Sequence, residues 1–216
     1  MFAVIFEVQP KGERFDDYLE TAKRLKPEIE RIEGFIDNDR FRSRRREGRL
    51  LSFSTWRDEK ALVRWRTLAV HHEAQERGRF EIFEDYHLRV GEIVVDTAAK
   101  EPLVQQRLDE TEIAAAKCVT VTELTRAEGA PRAAGDPARL LGAFDAGALE
   151  HEAFESIYTT GKLLLLQSWR DAPAAEQWRP GAVDGYSLRH RRVRIIRDYG
   201  MLDRREAPQY YAPVPR

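Results

Sequence analysis

The chain has 216 residues, and its 36 Lys and Arg residues balance its 37 Asp and Glu residues to a formal net charge of −1. This balance excludes the single-sign field on which binding to nucleic acid or an anionic membrane depends, so we expect neither partner. No apolar run approaches the roughly 20 residues that span a bilayer, the N-terminus has no basic leader and the single Cys118 suits a reducing compartment, so we expect a cytoplasmic protein.

One segment of the chain occurs twice. The sequence GRLLSFSTWRD at 48–58 returns as GKLLLLQSWRD at 161–171. Each copy is followed, at the same distance, by a second Trp-Arg pair that begins at Trp65 or at Trp178. A glycine turn, an apolar run and then Trp-Arg-Asp is typical of a strand that leaves a hairpin and enters a helix. We therefore interpret the chain as two copies of one unit of about 100 residues.

The first copy begins with a strand, a helix and two more strands. Apolar residues at helical spacing predict the helix over 15–32, and Pro27 predicts a kink or a restart within it. Alternation in the third strand puts Ser52 and Ser54 on one face of the sheet. The four strands of this copy are predicted at 2–9, 35–43, 50–56 and 86–95.

The second helix of the first copy begins at Asp58, a residue type that caps helices. Its apolar stripe includes Trp65. We predict that it continues past His71 to Gln75 and stops near Gly78.

The rest of the chain reads as a connector and a shortened second copy. Residues 97–116 are charged and alanine-rich, with a helical pattern at Leu103, Val104 and Leu108. A strand over 119–124 echoes the first strand, and Pro180-Gly181 ends the last helix early. The predicted domains are 1–96, a connector over 97–116, and a degenerate second domain over 117–216.

The predicted element order defines an α+β fold. Each copy reads as strand, helix, strand, strand, helix, strand, which is the ferredoxin-like unit. Such a unit has one antiparallel sheet with two helices on one face. The second unit is expected to have a truncated second helix.

Several short motifs, taken in order, resemble the antibiotic biosynthesis monooxygenase (ABM) family of dimeric α+β barrels. In the first unit they are Trp56-Arg57-Asp58, Trp65-Arg66, His71, Ala74-Gln75, Gly78-Arg79 and Tyr86-x-Leu-Arg-Val. The second unit is similar in its two middle strands and in its ending, 197–201. Family members pair two units sheet to sheet, which covers the face that the helices leave bare. The resemblance therefore implies a homodimer or, alternatively, a pseudo-dimer within one chain.

The resemblance implies O2-dependent oxidation of a small aromatic molecule of the polyketide or quinone type, without a metal cofactor. Such a pocket lies between sheet and helices, where Trp65 would pack against a flat substrate and His71 would accept a proton. Arg89, on the last strand, would hold an oxyanion. Each residue has an alternative interpretation: Trp65 as core, His71 as a surface helix residue, and Arg89, matched by Arg189 in the second copy, as half of a structural ion pair.

Two alternative functions stay open. The first is a non-catalytic ligand-binding or stress-related barrel, because a fold does not determine a function. The second is haem binding or haem degradation. Haem-degrading relatives bring an asparagine from the first strand and a histidine iron ligand from the second helix. Here those positions fall near Ile5 and at Gln75, so haem is poorly supported.

Overall fold

A computed structural model describes residues 1–133, 135–143 and 147–214, which form eight β-strands and five α-helices. The strands are β1 (Phe2–Pro10), β2 (Phe35–Ser43), β3 (Leu50–Trp56), β4 (Phe83–Asp96), β5 (Cys118–Arg126), β6 (Glu150–Ser156), β7 (Leu163–Trp169) and β8 (Tyr186–Gly200). The helices are α1 (Phe15–Glu30), α2 (Glu59–Thr67), α3 (Ala69–Arg77), α4 (Pro137–Leu140) and α5 (Ala172–Gln177), with a 3-10 turn at Gly12–Arg14 and a π-helical turn at Gly78–Ile82.

The strands close into one antiparallel barrel in the order β1-β3-β2-β6-β7-β5-β8-β4. Strands β1 to β4, from the N-terminal half of the chain, lie side by side in the barrel, and so do strands β5 to β8 from the C-terminal half. Two seams join these halves. At one, Phe41 of β2 pairs with Ser156 of β6; at the other, Arg89 of β4 pairs with Asp198 of β8. Both halves of the chain therefore build a single closed barrel, and no sheet edge is left unpaired there.

The interior of the barrel is filled by apolar side chains from all eight strands. Because side chains alternate along a strand, every second residue points inward. Full burial of such a side chain stabilises the fold by about 1.5–3 kcal/mol. The buried interior residues are Ala3, Ile5, Phe41, Leu51, Phe53, Ile93, Val119, Val121, Phe154, Leu164, Leu166, Val193 and Ile195.

The helices cover the outer face of the barrel unequally. In the N-terminal half, α1, α2 and α3 have 16, 9 and 9 residues. In the C-terminal half, α4 and α5 have 4 and 6 residues. The cavity of the fold lies under the longer helices of the N-terminal half.

The first helix does not restart at Pro27. It is one helix from Phe15 to Glu30 with Pro27 inside it. A proline inside a helix costs about 3 kcal/mol. Burial of Ile29 and Leu25, on the turns beside Pro27, offsets this cost.

The predicted continuous helix over 58–75 is wrong, because the chain breaks at Leu68. This residue has an extended backbone, with φ −63° and ψ 128°, and it separates α2 from α3. Asp58 caps α2 as predicted, accepting a hydrogen bond from the backbone N–H of Ala61 at 2.8 Å. The break determines how Trp65 and His71 meet.

The helical pattern in the connector is also misleading, because no helix forms between Thr97 and Lys117. Val104 and Leu108 are exposed, so no apolar stripe is buried. The Arg107 backbone N–H donates to the Glu92 carboxylate instead of to a carbonyl one helical turn earlier. Within the described ranges, the helices are all too short or too polar to cross a bilayer.

Candidate active site

A cavity of about 480 Å³ lies between the sheet of the N-terminal half and helices α1 to α3. Its wall is largely apolar, and polar groups reach it from β2, β3 and the C-terminal tail. Concave, mostly apolar cavities with a few polar groups are typical of small-molecule sites. The cavity is therefore the candidate site.

The floor of the cavity is set by the alternation in β3. Leu51 and Phe53 point into the barrel, so Ser52 and Ser54 point to the helix side and line the cavity. The side-chain amide of Asn38 donates to the Ser52 hydroxyl at 3.0 Å. Small side chains on this face leave the space open.

The corresponding space in the C-terminal half is filled. Leu165 of β7 occupies the position that corresponds to Ser52 in the repeated segment. It is fully buried in a cluster with Leu163, Trp169 and Trp178. The same fold therefore holds a cavity where the chain has serine and a packed core where it has leucine.

The structure brings Trp65 and His71 together at the cavity. Their rings stack with centroids 4.0 Å apart and planes inclined by 15°, and both line the cavity. In one continuous helix, residues six apart point in different directions, since each residue turns by about 100°. The break at Leu68 allows α3 to turn back so that the two rings meet.

The protonation of His71 follows from its surroundings. Burial lowers the pKa of His71 to about 4, so the imidazole is neutral at pH 7. Its Nδ1 lies 2.9 Å from the backbone oxygen of Trp65. The same nitrogen lies 3.2 Å from the side-chain nitrogen of Gln75. Because a carbonyl oxygen only accepts and the contact with Trp65 is the shorter one, we assign the proton to Nδ1. The other nitrogen, Nε2, then holds a lone pair that accepts a proton or a hydrogen bond.

Arg89 does not share the cavity with Trp65 and His71. Its neighbours Leu88 and Val90 line the cavity, so Arg89 points to the opposite side of the sheet. It is 1% exposed and donates to the Glu7 carboxylate at 2.5 Å. It also donates to the Ser168 hydroxyl at 2.8 Å. Arg89 and Glu7 therefore form a buried ion pair within the N-terminal half, and the hydrogen bond to Ser168 joins it to the C-terminal half.

The sequence repeat aligns Arg89 with Arg189, but the residue at the equivalent position in the structure lies two residues further along the chain. The structural counterpart of Arg89 is Arg191, which donates to Glu123 at 2.5 Å as Arg89 does to Glu7. Arg189 pairs instead with Asp96 at 2.7 Å. The two halves therefore repeat the same buried Arg–Glu pair, although the sequence alignment matches Arg89 with Arg189 and not with Arg191.

The C-terminal tail covers one end of the cavity. The hydroxyl of Tyr211 donates to the Gln75 side-chain oxygen at 3.0 Å, and its ring stacks on His72 at 5.6 Å. Arg204 donates to the Tyr86 hydroxyl at 2.6 Å. The tail, which follows the last strand of the C-terminal half, therefore lies on the N-terminal half of the barrel.

Comparison with known proteins identifies the family. The model of the antibiotic biosynthesis monooxygenase family matches residues 1–77. A relative named jasmonate monooxygenase ABM, from Pyricularia oryzae, is 42% identical over 222 aligned residues, which cover 99% of this chain and 100% of the relative. The chain belongs to the antibiotic biosynthesis monooxygenase family.

Two solved structures are also similar to this ABM-family chain. One, described as an anthrone oxidase-like protein, is 12% identical, with 96% of each chain covered and a TM-score of 0.39. Another, described as an antibiotic biosynthesis monooxygenase, is 17% identical and covers 43% of this chain and 97% of its own, with a TM-score of 0.37.

Sequence reasoning named some of the residues at the candidate site of this ABM-family protein and missed others. It singled out Trp65 and His71, which meet at the cavity. It missed the tail residue Tyr211 and the partners Arg40 and Tyr158, which meet across the seam of the barrel. The sequence does contain one indication of the cavity: Ser52 and Ser54 alternate with apolar residues in β3 and face the cavity.

Proposed function

We propose that this protein is a monooxygenase that uses O2 to oxidise a small, mostly apolar organic molecule in the N-terminal cavity. The observation that carries the proposal is the stacked pair of Trp65 and a neutral His71 on the cavity wall. Trp65 packs on the flat face of the substrate. His71 accepts a hydrogen bond or a proton at Nε2 from the carbon or oxygen acid that reacts.

The chemistry that suits such a site requires little from the protein beyond binding. A substrate with an acidic CH2 group between electron-rich carbons loses a proton, and the resulting anion gives an electron to O2. The balanced reaction is R–CH2–R + O2 → R–CO–R + H2O, so the substrate supplies all the electrons. The protein excludes water, orients the reacting carbon and takes up the proton.

The low pKa of His71 affects how it acts. A base whose conjugate acid has a pKa of about 4 takes a proton from a weak acid only when that proton is passed on quickly. We therefore propose that Nε2 mainly holds the acidic hydrogen of the substrate in place. The proton passes through Nε2 to the reduced oxygen that forms when the substrate anion gives its electron to O2.

A second substrate class is favoured by the relative named jasmonate monooxygenase. Jasmonate has a carboxylate, a cyclic ketone and an alkenyl chain. Hydroxylation of an unactivated C–H bond follows R–H + O2 + 2e⁻ + 2H⁺ → R–OH + H2O and needs a separate two-electron reductant. The two substrate classes are therefore distinguished by whether turnover depends on added reductant.

We propose that no haem takes part in this reaction. Ile5 points into the barrel and is fully buried there, away from the cavity. Gln75 is held by the Tyr211 hydroxyl at 3.0 Å, where haem-degrading relatives have a histidine. The residues present therefore do not fit a haem site of that kind.

We also propose that the fold arose from a tandem duplication of a ferredoxin-like unit. The repeated Arg89–Glu7 and Arg191–Glu123 pairs support it. In this interpretation the C-terminal half acts as a built-in partner, so the chain needs no second copy to close its barrel. Sedimentation would then give a mass of one chain, 25.0 kDa.

The test is O2 consumption with product mass analysis, using anthrone and jasmonic acid, each with and without a reductant. Oxygen uptake that forms a product containing one added oxygen atom supports the proposal. Trp65→Phe and His71→Ala are expected to lower kcat/KM by at least about tenfold. His87→Ala is the matched control, because His87 lies outside the cavity. Equal rates in all variants would remove the assignment.

A further inference from the structure

Among the described residues that line the cavity, basic side chains outnumber acidic ones. Four arginines line it: Arg40, Arg66, Arg79 and Arg204. Within the described part of the chain, none of the four forms an ion pair with an Asp or Glu side chain. By contrast, the buried arginines inside the barrel, Arg89 and Arg191, each contact a carboxylate.

The acidic residues at the cavity have other contacts. Asp37 lies 3.8 Å from Arg189, and Glu30 lies 3.9 Å from Lys26. Neither carboxylate reaches the four arginines. A partly buried cation without a counter-ion is costly, so a positively charged cavity is favourable only if an anion occupies it during function.

Two of the four arginines hold the C-terminal tail in place. Arg79 donates to the backbone oxygens of Met201 at 2.7 Å and Ala212 at 3.3 Å. Arg204 donates to the Tyr86 hydroxyl at 2.6 Å and to the Gln209 backbone oxygen at 2.9 Å. Their guanidinium groups are used by the protein itself.

Arg40 is different, because its side chain contacts two tyrosine hydroxyl groups and makes no contact with the tail. Its Nη1 donates to the Tyr158 hydroxyl at 3.4 Å, a distance typical of a weak hydrogen bond. Its Nε is buried and has no partner. Tyr18 also contacts it. A guanidinium flanked by two hydroxyl groups matches the geometry of a bound carboxylate.

The seam of the barrel fixes the position of this group. Arg40 pairs with Ser52 on β3, which places it on the cavity floor. The backbone N–H of Ile157 donates to the Arg40 backbone oxygen at 2.8 Å and so holds the next residue, Tyr158, beside it. The C-terminal half thus contributes a side chain to the cavity of the N-terminal half.

We propose that Arg40, with Tyr18 and Tyr158, binds an anionic group of the substrate, namely a carboxylate. The substrate class is then a small organic acid with an apolar body that extends from Arg40 towards Trp65 and His71. That the bound acid is a substrate rests on the proposed function. The test measures binding without turnover, so failure of the carboxylate site can be distinguished from failure of the monooxygenase proposal.

The experiment compares 2-naphthoate with methyl 2-naphthoate, binding each to the full chain without O2 at pH 7. The wild type is expected to bind the acid at least about tenfold more tightly than the ester, as a charged hydrogen-bonded pair allows. Arg40→Gln removes the preference and leaves the affinity for the ester unchanged. Arg40→Lys retains part of the preference for the acid. Tyr158→Phe weakens that preference by a smaller factor than Arg40→Gln does.

Two further variants complete the design. Arg42→Gln removes the same charge from the same strand at an exposed position outside the cavity, and it is expected to bind like wild type. Arg66→Gln tests the other cavity arginine that does not hold the tail. The assignment is overturned if Arg40→Gln still prefers the acid, or if Arg66→Gln loses that preference instead. It is also overturned if the wild type binds neither probe. Circular dichroism checks that each variant is folded.

Discussion

The ring of His71 lies 4.0 Å from the ring of Trp65 and nearly parallel to it, although six residues separate them in the chain. The extended backbone of Leu68 makes this possible, and the carbonyl of Trp65 then fixes the tautomer of His71. A local break in a helix therefore produces both the stack and the free nitrogen at the cavity.

The first prediction concerns pH. If a neutral His71 is required, the rate stays level from pH 8 down to about 5 and falls to half near the pKa of about 4. A histidine with an ordinary pKa near 6.5 would place that half-point about 2.5 units higher. The measurement is kcat/KM against pH. A half-point near 6.5 contradicts the neutral, buried state of His71.

The same pKa has a consequence for stability. The folded pKa of His71 is below the unfolded value, so the unfolded chain binds the proton more readily between about pH 6.5 and 4. The free energy of unfolding therefore falls as pH drops through that window. Folding has to be monitored alongside the rate in acid, so that loss of structure is not taken for loss of catalysis.

The second prediction exchanges the side chains that open one half and fill the other. Ser52→Leu gives the N-terminal half the residue found at Leu165, so the cavity is expected to shrink and ligand binding to be lost while the fold is kept. Leu165→Ser empties a fully buried position and is expected to cost about 2–5 kcal/mol of unfolding free energy. Denaturant titration and binding of 2-naphthoate measure the two effects. Unchanged binding in Ser52→Leu would show that ligands use another site.

The third prediction concerns the tail. Tyr211→Ala removes the hydroxyl that donates to Gln75 and the ring that stacks on His72. We expect faster ligand release and a several-fold lower kcat/KM, because the cavity is less well covered. Tyr210→Ala is the matched control, since Tyr210 is 88% exposed. Stopped-flow release of 2-naphthoate measures the difference, and equal release rates in the two variants contradict a covering role.

The fourth prediction separates Arg89 from the reaction. Arg89→Met leaves Glu7 as a buried carboxylate without its main partner, which typically costs about 3–5 kcal/mol. The expected result is a large loss of stability with little change in kcat per folded molecule. Arg89→Met combined with Glu7→Leu removes both charges and is expected to recover much of the stability. A folded Arg89→Met protein with an abolished kcat would instead support the oxyanion role.

The sequence was informative where local chemistry decides the structure. The repeated Trp-Arg-Asp segments, the Asp58 cap and the alternation of Ser52 with apolar residues all correspond to features of the structure. These features depend on neighbouring residues, so a single sequence carries them. The N-terminal family resemblance likewise pointed to Trp65 and His71.

The sequence was uninformative where distant segments decide the structure. The helix breaks at Leu68, and the sequence has no glycine or proline there that would predict the break. The contact between Arg40 and Tyr158 joins residues 118 positions apart across a barrel seam. The sequence alignment matches Arg89 to Arg189, whereas the strand register places Arg89 opposite Ile5 and Arg191 opposite Val121, which makes Arg191 the structural counterpart of Arg89. Register and seams depend on the closed barrel as a whole.

The most direct test of the central claim is a crystal structure of the protein with 2-naphthoate bound. The account predicts that the naphthyl ring lies in the N-terminal cavity on the side of Trp65 and His71, with its carboxylate on Arg40. Binding at the small charged pocket beside Glu7 and Arg89, or among the helices of the C-terminal half, would contradict it.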